Sequence, residues 1–344
     1  MSTFADRLIR WHAQHGRHDL PWQNTTDPYR IWLSEIMLQQ TQVDTVIPYY
    51  ARFLERCPTL ASLAEAPADT VMALWAGLGY YARARNLHAC AQQVMREFGG
   101  QFPHTPEQIA ALPGIGRSTA AAIAAFAFGQ RAAILDGNVK RVLCRVFGVE
   151  GYPGSLPVER KLWDLAEDLL PKKNIPTYIQ AQMDLGATVC VRGAPKCEHC
   201  PMTEICVAHQ TGRTAELPEA RPRKKPPVRS TQMAVVTDGT HVLLVQRPPK
   251  GIWGGLLSLP EFESSVAPAN WWQGFAGDVA VVISALPALR HTFTHFVLDI
   301  LPVRFEVADL DAVTKIEAGR IVALDAMREL GLPKPVSRIL LDAG

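Results

Sequence analysis

The hydrophobic positions along the chain follow one periodicity in its first two thirds and another in its last third. From Ile31 to Cys206, apolar residues recur at helical spacing, Ala and Leu are abundant, and no strand pattern intervenes. After residue 229, the runs MAVVTDG, THVLLVQR and HTFTHFVLDILPVRFEV are typical of β-strands, and a helix is predicted near Asp325 to Leu330. The chain is therefore predicted to be all-α first and α+β afterwards.

A stretch rich in proline and charge separates these two parts. Residues 213–229 read RTAELPEARPRKKPPVR, a composition that predicts an extended, basic linker unable to pack. We therefore expect a helical domain over 1–212 and a second domain over 230–344. With 344 residues, 48% of them hydrophobic, the chain is long enough for each domain to bury its own core.

Charge and hydropathy narrow the choice of partners only slightly. The net charge is +2, so a nucleic-acid partner would need basic residues gathered in one place. The opening MSTFADRLIRWHAQHG is charged and amphipathic, and no apolar run reaches the roughly 18 residues of a membrane span. We expect a cytoplasmic protein with no membrane partner, and a monomer, since no coiled-coil seam is present.

Four of the seven cysteines lie close together, as Cys190, Cys197, Cys200 and Cys206. In a reducing cytosol, such cysteines are more often metal ligands than disulfide partners. Zinc usually takes two short C-x2-C pairs, and only Cys197 and Cys200 have that spacing, which favours an iron–sulfur cluster. Zinc and unliganded thiols stay open as alternatives on spacing alone.

The segment 106–128 has the pattern of a helix-hairpin-helix. A short helix, the turn LPGIG and an Ala-rich helix beginning near Arg117 follow one another. Gly114 and Gly116 allow a sharp turn that exposes N–H groups at a helix N-terminus, where a DNA phosphate binds without base readout. Gly114, Gly116 and Arg117 are thus candidate phosphate-binding residues, although a plain interhelical turn would have the same pattern.

Two carboxylic acids have surroundings that suit glycosidic bond cleavage. Glu35 lies in IWLSEIMLQQTQ, where nearly every neighbour is apolar, so burial is expected to raise its pKa and keep it protonated. Asp136 lies in ILDGN, just before a helix, where an N-cap role would also explain it. Cleavage needs one carboxyl to protonate the leaving group and another to stabilise or attack the cationic sugar.

Several motifs together resemble one family. LSEIMLQQTQV, GLGYYARARNL, LPGIGRSTAAAI, ILDGNVKRV and the four cysteines, from about residue 4 to 225, are similar to the MutY family of adenine DNA glycosylases. The resemblance implies a helix-hairpin-helix glycosylase fold with a 4Fe-4S cluster held by the cysteine loop 190–206. It also implies a base excision repair hydrolase that binds double-stranded DNA and flips out adenine paired with 8-oxoguanine or guanine.

The resemblance assigns roles to individual positions. The residue matching Glu35 protonates adenine at N7, and the one matching Asp136 stabilises the oxocarbenium ion. Relatives that also nick the backbone carry a lysine where this chain has Ser118, which implies a monofunctional enzyme that leaves an abasic site.

Further positions match with lower specificity. Trp22, Leu38 and Gln180 resemble the adenine pocket, with Asp184 one helical turn beyond, and Gln40 and Tyr80 resemble residues that wedge the base stack. Taken alone, Trp22 and Leu38 would be interpreted as core residues. Where many members have Trp-Arg, this chain has Trp22-Gln23, so an arginine contact is not expected there.

The second domain resembles a MutT-like or Nudix-like domain that senses 8-oxoguanine. Phe293, Thr294 and His295 match the family's Phe-Ser-His loop, with threonine keeping the hydroxyl. After Glu261 and Glu263 no dense glutamate cluster follows, so magnesium-dependent hydrolysis is not expected. A pyrimidine-lesion glycosylase and a cluster-bearing DNA-binding or electron-transfer protein are the rival functions, and Ser118 and Glu35 respectively argue against them.

Overall fold

The computed structural model describes residues 3–222, 226–248, 251–293, 295–313 and 319–343, which form two compact units. The first contains the residues up to Ala66 and Arg85–Arg223, and the second contains Pro67–Ala84 and the residues from Lys224 onward. This division differs from the predicted helical domain over 1–212, because Pro67–Ala84 groups with the second unit. In that unit Gly331 lies so close to Met72 that a Cβ on the glycine would be 3.3 Å from the Met72 carbonyl oxygen.

The part of the chain before the sheet is helical, as predicted. Its helices are α1 (Phe4–His15), α2 (Pro28–Leu38), α3 (Val43–Arg56), α4 (Leu60–Glu65), α5 (Ala68–Trp75), α6 (Ala82–Phe98), α7 (Pro106–Ala110), α8 (Arg117–Phe128), α9 (Gly137–Val146), α10 (Leu156–Asp168), α11 (Ile175–Asp184) and α12 (Val207–Gln210). A π-helical turn, Leu185–Val189, continues α11, and two 3-10 turns, Cys197–His199 and Thr203–Ile205, precede α12.

Helices α1, α8, α9 and α11 share the hydrophobic core of the first unit. Leu8 of α1, Ala125 of α8, Leu143 of α9 and Ile179 of α11 are fully buried in one cluster. The run of small residues in α8 allows neighbouring helices to approach closely. Among the described residues, no helix has the length and apolar character needed to cross a membrane.

The segment predicted as an extended linker packs in its first part. Leu217 is buried in the core of the first unit, and its carbonyl oxygen accepts a hydrogen bond of 2.7 Å from Arg145 Nε. Glu219 accepts a hydrogen bond of 2.7 Å from the Gly151 N–H. Leu217 and Glu219, which lie within the predicted linker, are thus bonded to the first unit, because one leucine in this polar stretch fills a core position.

The second unit contains an eight-stranded mixed sheet. Its strands are β1 (Val228–Thr237), β2 (His241–Gln246), β3 (Leu257–Ser258), β4 (Glu261–Phe262), β5 (Val282–Ala285), β6 (Leu289–Thr292), β7 (Val297–Glu306) and β8 (Gly319–Ala323). The order is β3-β2-β1-β7-β5, with β4 paired to β1, β6 to β7 and β8 to β2. The long strands β1 and β7 run parallel, from the pair Val228↔Val297 to the pair Thr237↔Glu306, and the other pairings are antiparallel.

Each face of the sheet is covered by a helix. Met233 of β1 belongs to the core that contains Ile339 of α14 (Lys334–Ala343), whereas the next residue, Ala234, belongs to the core that contains Trp272 of α13 (Pro268–Ala276). This alternation is the period of two expected for a strand buried on both faces. The predicted α+β class is confirmed. The helix predicted near Asp325 to Leu330 is a 3-10 turn, Asp325–Glu329, and the two covering helices were not predicted.

Candidate active site

Glu35 lies on the apolar helix α2. Asp27 caps this helix by accepting a hydrogen bond from the Tyr29 N–H, and Pro28 occupies its first turn. Trp32 and Ile36, three residues before Glu35 and one residue after it, are buried. Burial of the carboxyl, together with the nearby Asp136 carboxylate, raises the pKa of Glu35 from 4.5 to about 8. The side chain therefore holds a proton at neutral pH.

Asp136 is the N-cap of α9, as the sequence pattern suggested. Its Oδ1 accepts a hydrogen bond of 2.7 Å from the Val139 N–H, and a further backbone hydrogen bond comes from Asn138. Burial raises the pKa of Asp136, while these hydrogen bonds and the positive charge of Arg141 act in the opposite direction. The structure thus surrounds this carboxylate with donors.

The charge of Asp136 contributes to the raised pKa of Glu35, so the two carboxyls lie within electrostatic reach of each other. Helix α8 lies beside both of them. The Leu135 N–H donates a hydrogen bond of 3.0 Å to Ser118 Oγ, and Gln39 Nε2 donates to Thr119 Oγ1 at 3.4 Å. The first turn of α8 is therefore bonded to the segment before Asp136 and to the end of α2.

The residues predicted for the adenine pocket all belong to the first unit. Trp22 is buried with its ring centroid 5.4 Å from that of Tyr50, and Leu38 is half-buried at the end of α2. Gln180 Nε2 donates a hydrogen bond of 2.9 Å to Oδ1 of Asp184, which is fully buried. Burial alone would raise the pKa of Asp184, but hydrogen bonds from His12 and Arg17 lower it below its ordinary value.

Arg17 is a residue that the sequence did not single out. Its Nε and Nη2 donate to Asp184 Oδ1 at 2.8 and 2.6 Å, and its backbone N–H donates to Oδ2 at 2.8 Å. Gln23, where the family pattern often has arginine, instead donates to the Arg17 carbonyl oxygen at 3.0 Å. Asp184 thus binds both Arg17 and Gln180, so an arginine is held near Gln180 although position 23 carries glutamine. The charged loop that contains Arg17 has no sequence pattern that predicts this contact.

The predicted hairpin is formed by α7 and α8. Gly114 has φ +76°, and a Cβ there would lie 2.6 Å from Asn86 Cβ, so both the backbone conformation and the space require glycine. Gly114 and Gly116 are exposed, and Gly116 caps α8. The guanidinium of Arg117 lies 3.8 Å from the centroid of the Trp163 ring and forms an ion pair with Glu167. Arg117 is therefore held against α10.

Gln40 and Tyr80 share an uncommon backbone conformation. Both have positive φ, 59° and 49° respectively, and both side chains are exposed. Positive φ is uncommon for residues other than glycine, and residues held in such conformations cluster at active sites and ligand clamps. Gln40 belongs to the first unit and Tyr80 to the second.

The four cysteines line one recess, together with Arg145. Burial and the proximity of the other thiols raise the pKa of Cys197, Cys200 and Cys206, that of Cys200 to about 12. In the part of the chain that the structure describes, no three Cys, His, Asp or Glu side chains converge on a position for a single ion.

Two arginines of α9 connect the cysteine loop to the helix that Asp136 caps. Arg145 Nη1 donates to Cys190 Sγ at 3.4 Å and to the Val191 carbonyl oxygen at 2.7 Å. Arg141 donates to the carbonyl oxygen of Cys190 and to Asn138 Oδ1, both at 2.7 Å. Arg141 therefore bridges the cysteine loop and Asn138, which lies in the first turn of α9, two residues after Asp136.

The loop predicted to read the opposite base joins β6 to β7. The Phe293 ring lies 4.6 Å from that of Phe296 and 5.4 Å from that of Trp253, and His295 is exposed. Thr294, the third predicted residue of this loop, lies outside the described residues. Glu261, one of the two glutamates considered for a metal site, is paired with Arg247.

Comparisons with known proteins match the helical part of the chain and the part that contains the sheet to two different families. Residues 33–168 match the HhH-GPD superfamily of base excision DNA repair proteins, and residues 231–342 match the NUDIX domain. The structure of a thermostable thymine-DNA glycosylase covers 60% of this chain with a TM-score of 0.55 and 32% identity, over 95% of that protein. An endonuclease III–DNA complex, 20% identical with a TM-score of 0.52, covers 60% of this chain and 94% of that one and shares the fold.

Curated relatives extend the similarity over both units. The adenine DNA glycosylase of Buchnera aphidicola subsp. Schizaphis graminum is 33% identical over 98% of this chain and 98% of its own length. The human adenine DNA glycosylase is 37% identical over 87% of this chain and 66% of its own length. Since relatives of this name match nearly end to end, the chain belongs to the adenine DNA glycosylase family and is a DNA glycosylase of the helix-hairpin-helix type.

Proposed function

We propose that the enzyme removes adenine opposite 8-oxoguanine or guanine in double-stranded DNA and leaves an abasic site. The observation that carries this proposal is the pairing of a protonated carboxyl with a neighbouring carboxylate surrounded by donors. The names of the relatives supply the base, and the geometry of the two acids supplies the reaction type.

In the proposed reaction, Glu35 gives its proton to N7 of the flipped adenine. The bond between the sugar C1′ and adenine N9 then breaks, and its electron pair leaves with the neutral base. The Asp136 carboxylate stabilises the positive charge that develops on the sugar, either as a neighbouring charge or by forming a covalent bond to C1′. Water then adds to C1′ and its proton goes to the Glu35 carboxylate, which restores the acid. If Asp136 has bonded to C1′, that bond breaks in this step and its electron pair returns to the carboxylate.

We expect no cleavage of the DNA backbone. Position 118 carries a hydroxyl, and a serine cannot form the Schiff base that a lysine forms with the opened sugar. In this chain Ser118 Oγ accepts the hydrogen bond from Leu135 and so supports the segment that carries Asp136. Borohydride treatment during turnover should trap no enzyme–DNA adduct, and a strong trapped adduct would contradict this part of the proposal.

Cys190, Cys197, Cys200 and Cys206 fit a 4Fe-4S cluster. The four side chains line one recess. The pKa values of Cys197, Cys200 and Cys206 are raised, so a bound cation is needed to keep these three thiols as thiolates. Such a cluster would cross-link the loop and hold it against Arg141 and Arg145. Purified protein should be brown and contain iron and sulfide, whereas a colourless protein carrying zinc would contradict the assignment.

Recognition of DNA is assigned to four further sets of residues. Gly114, Gly116 and Arg117 would hold a phosphate, and Trp22, Leu38 and Gln180 would line the adenine pocket. Gln40 and Tyr80 would enter the base stack, and Phe293, Thr294 and His295 would read the oxidised guanine. We expect the enzyme to act as a monomer on cytoplasmic, nucleoid DNA.

The substrate is tested with matched duplexes that differ in one base pair. Single-turnover release should be fastest from adenine opposite 8-oxoguanine, slower opposite guanine and undetectable opposite thymine. A duplex with a G·T mismatch tests the activity named for the structurally similar thymine glycosylase. Release of thymine without release of adenine would replace the proposed substrate.

A further inference from the structure

The turn that carries Tyr80 is unusual because it exposes a large aromatic ring on a left-handed backbone. Tyr80 is 52% exposed and has φ +49°, and Gly77 and Gly79 before it also have positive φ. Burial of the ring does not account for this conformation, because the ring is mostly in solvent. Some other contact must therefore hold the turn in place.

The buried side chain of Arg83 provides that contact. Its Nη2 donates hydrogen bonds of 3.2 Å to the carbonyl oxygens of Leu78 and Gly79, the two residues before Tyr80. Trp75 Nε1 also donates to the Gly79 carbonyl oxygen, at 3.1 Å. The carbonyl that sets the direction of the Tyr80 peptide is thus fixed by two side-chain donors.

The guanidinium of Arg83 is also placed between two rings. Its central carbon lies 5.1 Å from the Trp75 ring centroid and 5.6 Å from that of Tyr80, within the range of a cation–π interaction. Arg83 is only 8% exposed, so its cationic group faces the protein rather than a DNA phosphate. A planar cation can donate to the carbonyls with its edge while its faces contact aromatic rings, which an ammonium group cannot do.

A similar arrangement recurs elsewhere in the same unit. Trp253 also has positive φ, +51°, and Arg247 Nε donates to the carbonyl oxygen of the preceding residue, Ile252, at 3.0 Å. The Arg247 guanidinium lies 5.6 Å from the Trp253 ring. Two aromatic residues at positive φ in this unit thus each have an arginine that donates to the preceding carbonyl oxygen and lies near the ring.

We propose that Arg83 is a positioning residue that fixes the Leu78–Tyr80 turn so that the Tyr80 ring is presented to the base stack in one orientation. This inference rests on the proposed role of Tyr80 as a wedge. Since the contribution of Arg83 passes through Tyr80, its loss should slow base release by the same route as loss of the Tyr80 ring.

A double-mutant cycle tests this dependence. In single-turnover release of adenine opposite 8-oxoguanine, Arg83→Lys should slow the rate about tenfold, because misplaced groups near a reacting base lower the rate steeply. In the Tyr80→Ala background the same substitution should change the rate less than about twofold. Arg96→Lys, on the exposed side of the same helix, is the matched control and should leave the rate unchanged.

Three further results would decide the inference. An Arg83→Lys effect of equal size in both backgrounds, or none in wild type, would overturn the role of Arg83 while leaving Tyr80 as a wedge. A Tyr80→Ala enzyme with the wild-type rate would overturn both roles, but not the glycosylase activity. If Arg83→Gln lowered the salt dependence of duplex binding by about one counterion, Arg83 would be a phosphate contact instead. If Arg83 variants fold poorly, Trp75→Phe should reproduce a smaller part of the defect, because it removes the second donor together with part of a buried ring.

Discussion

Glu35 and Asp136 are the same chemical group in two different surroundings. Glu35 projects from the middle of an apolar helix, and burial raises its pKa to about 8. Asp136 lies at the start of a helix, where the Val139 and Asn138 N–H groups donate to it and Arg141 adds positive charge. Burial raises the pKa of both carboxyls, but only Asp136 has hydrogen bonds and a positive charge that oppose the rise, and this difference separates a proton donor from a carboxylate.

The roles of Glu35 as the acid and of Asp136 as the stabilising carboxylate also depend on each other. The negative charge of Asp136 is one reason why Glu35 keeps its proton, so the stabilising group helps to maintain the acid. The helix that Asp136 caps is in turn bonded through Arg141 to the cysteine loop. Secondary structure thus sets the ionisation state of both groups.

The largest effect is expected from Glu35→Gln. The amide keeps the shape of the side chain but has no acidic proton, so base release should fall by about 10²- to 10⁴-fold. Duplex binding should stay within about twofold of wild type, because the substituted group contacts only the flipped base. Single-turnover kinetics and fluorescence anisotropy measure the two quantities. Release at the wild-type rate would remove Glu35 from the mechanism.

Two substitutions at Asp136 separate its charge from its capping role. Asp136→Asn keeps a good N-cap but removes the charge, and should slow base release about 10²-fold with little change in stability. Asp136→Ala loses the cap as well and should lower the free energy of unfolding by about 1 kcal/mol. Urea unfolding of both variants checks this distinction. An active Asp136→Asn enzyme would reduce Asp136 to a structural cap.

The pH dependence of base release should reflect the two surroundings. Above pH 8 Glu35 loses its proton, so the rate should fall about tenfold per pH unit. At low pH the rate should fall as Asp136 becomes protonated, at a pH above its ordinary value of 3.8. A rate that stayed constant from neutral pH to about pH 9.5 would contradict the role of Glu35 as the acid.

The last prediction is the effect of Glu35→Gln on the free energy of unfolding. The pKa of Glu35 is higher in the folded protein than its ordinary value of 4.5, so its contribution is fully present below pH 4.5 and is lost as the pH rises through 8. Glu35→Gln should therefore gain stability relative to wild type as the pH rises from 4.5 to 8. Urea unfolding at about pH 5 and pH 9 gives the difference. An equal difference at both pH values would mean that the carboxyl is not desolvated.

The sequence predicted the parts of the site that depend on local pattern. The helix-hairpin-helix, the cap at Asp136 and the apolar helix around Glu35 each have a signal within a few residues. Arg17, the burial of Leu217 and the support of Tyr80 by Arg83 had none, because each depends on a contact formed only in the folded chain. Helices α13 and α14 were not predicted although they have local signals, since α14 is amphipathic and α13 begins with Pro268.

The central claim is that Glu35 holds a proton at neutral pH because of where it lies. The most direct measurement is a titration of enzyme labelled with 13C at the glutamate carboxyls, in which the Glu35 signal is identified by its absence in Glu35→Gln. The midpoint should lie near pH 8 and should decrease in Asp136→Asn, because the neighbouring negative charge is gone. A midpoint near the ordinary 4.5 would contradict the account.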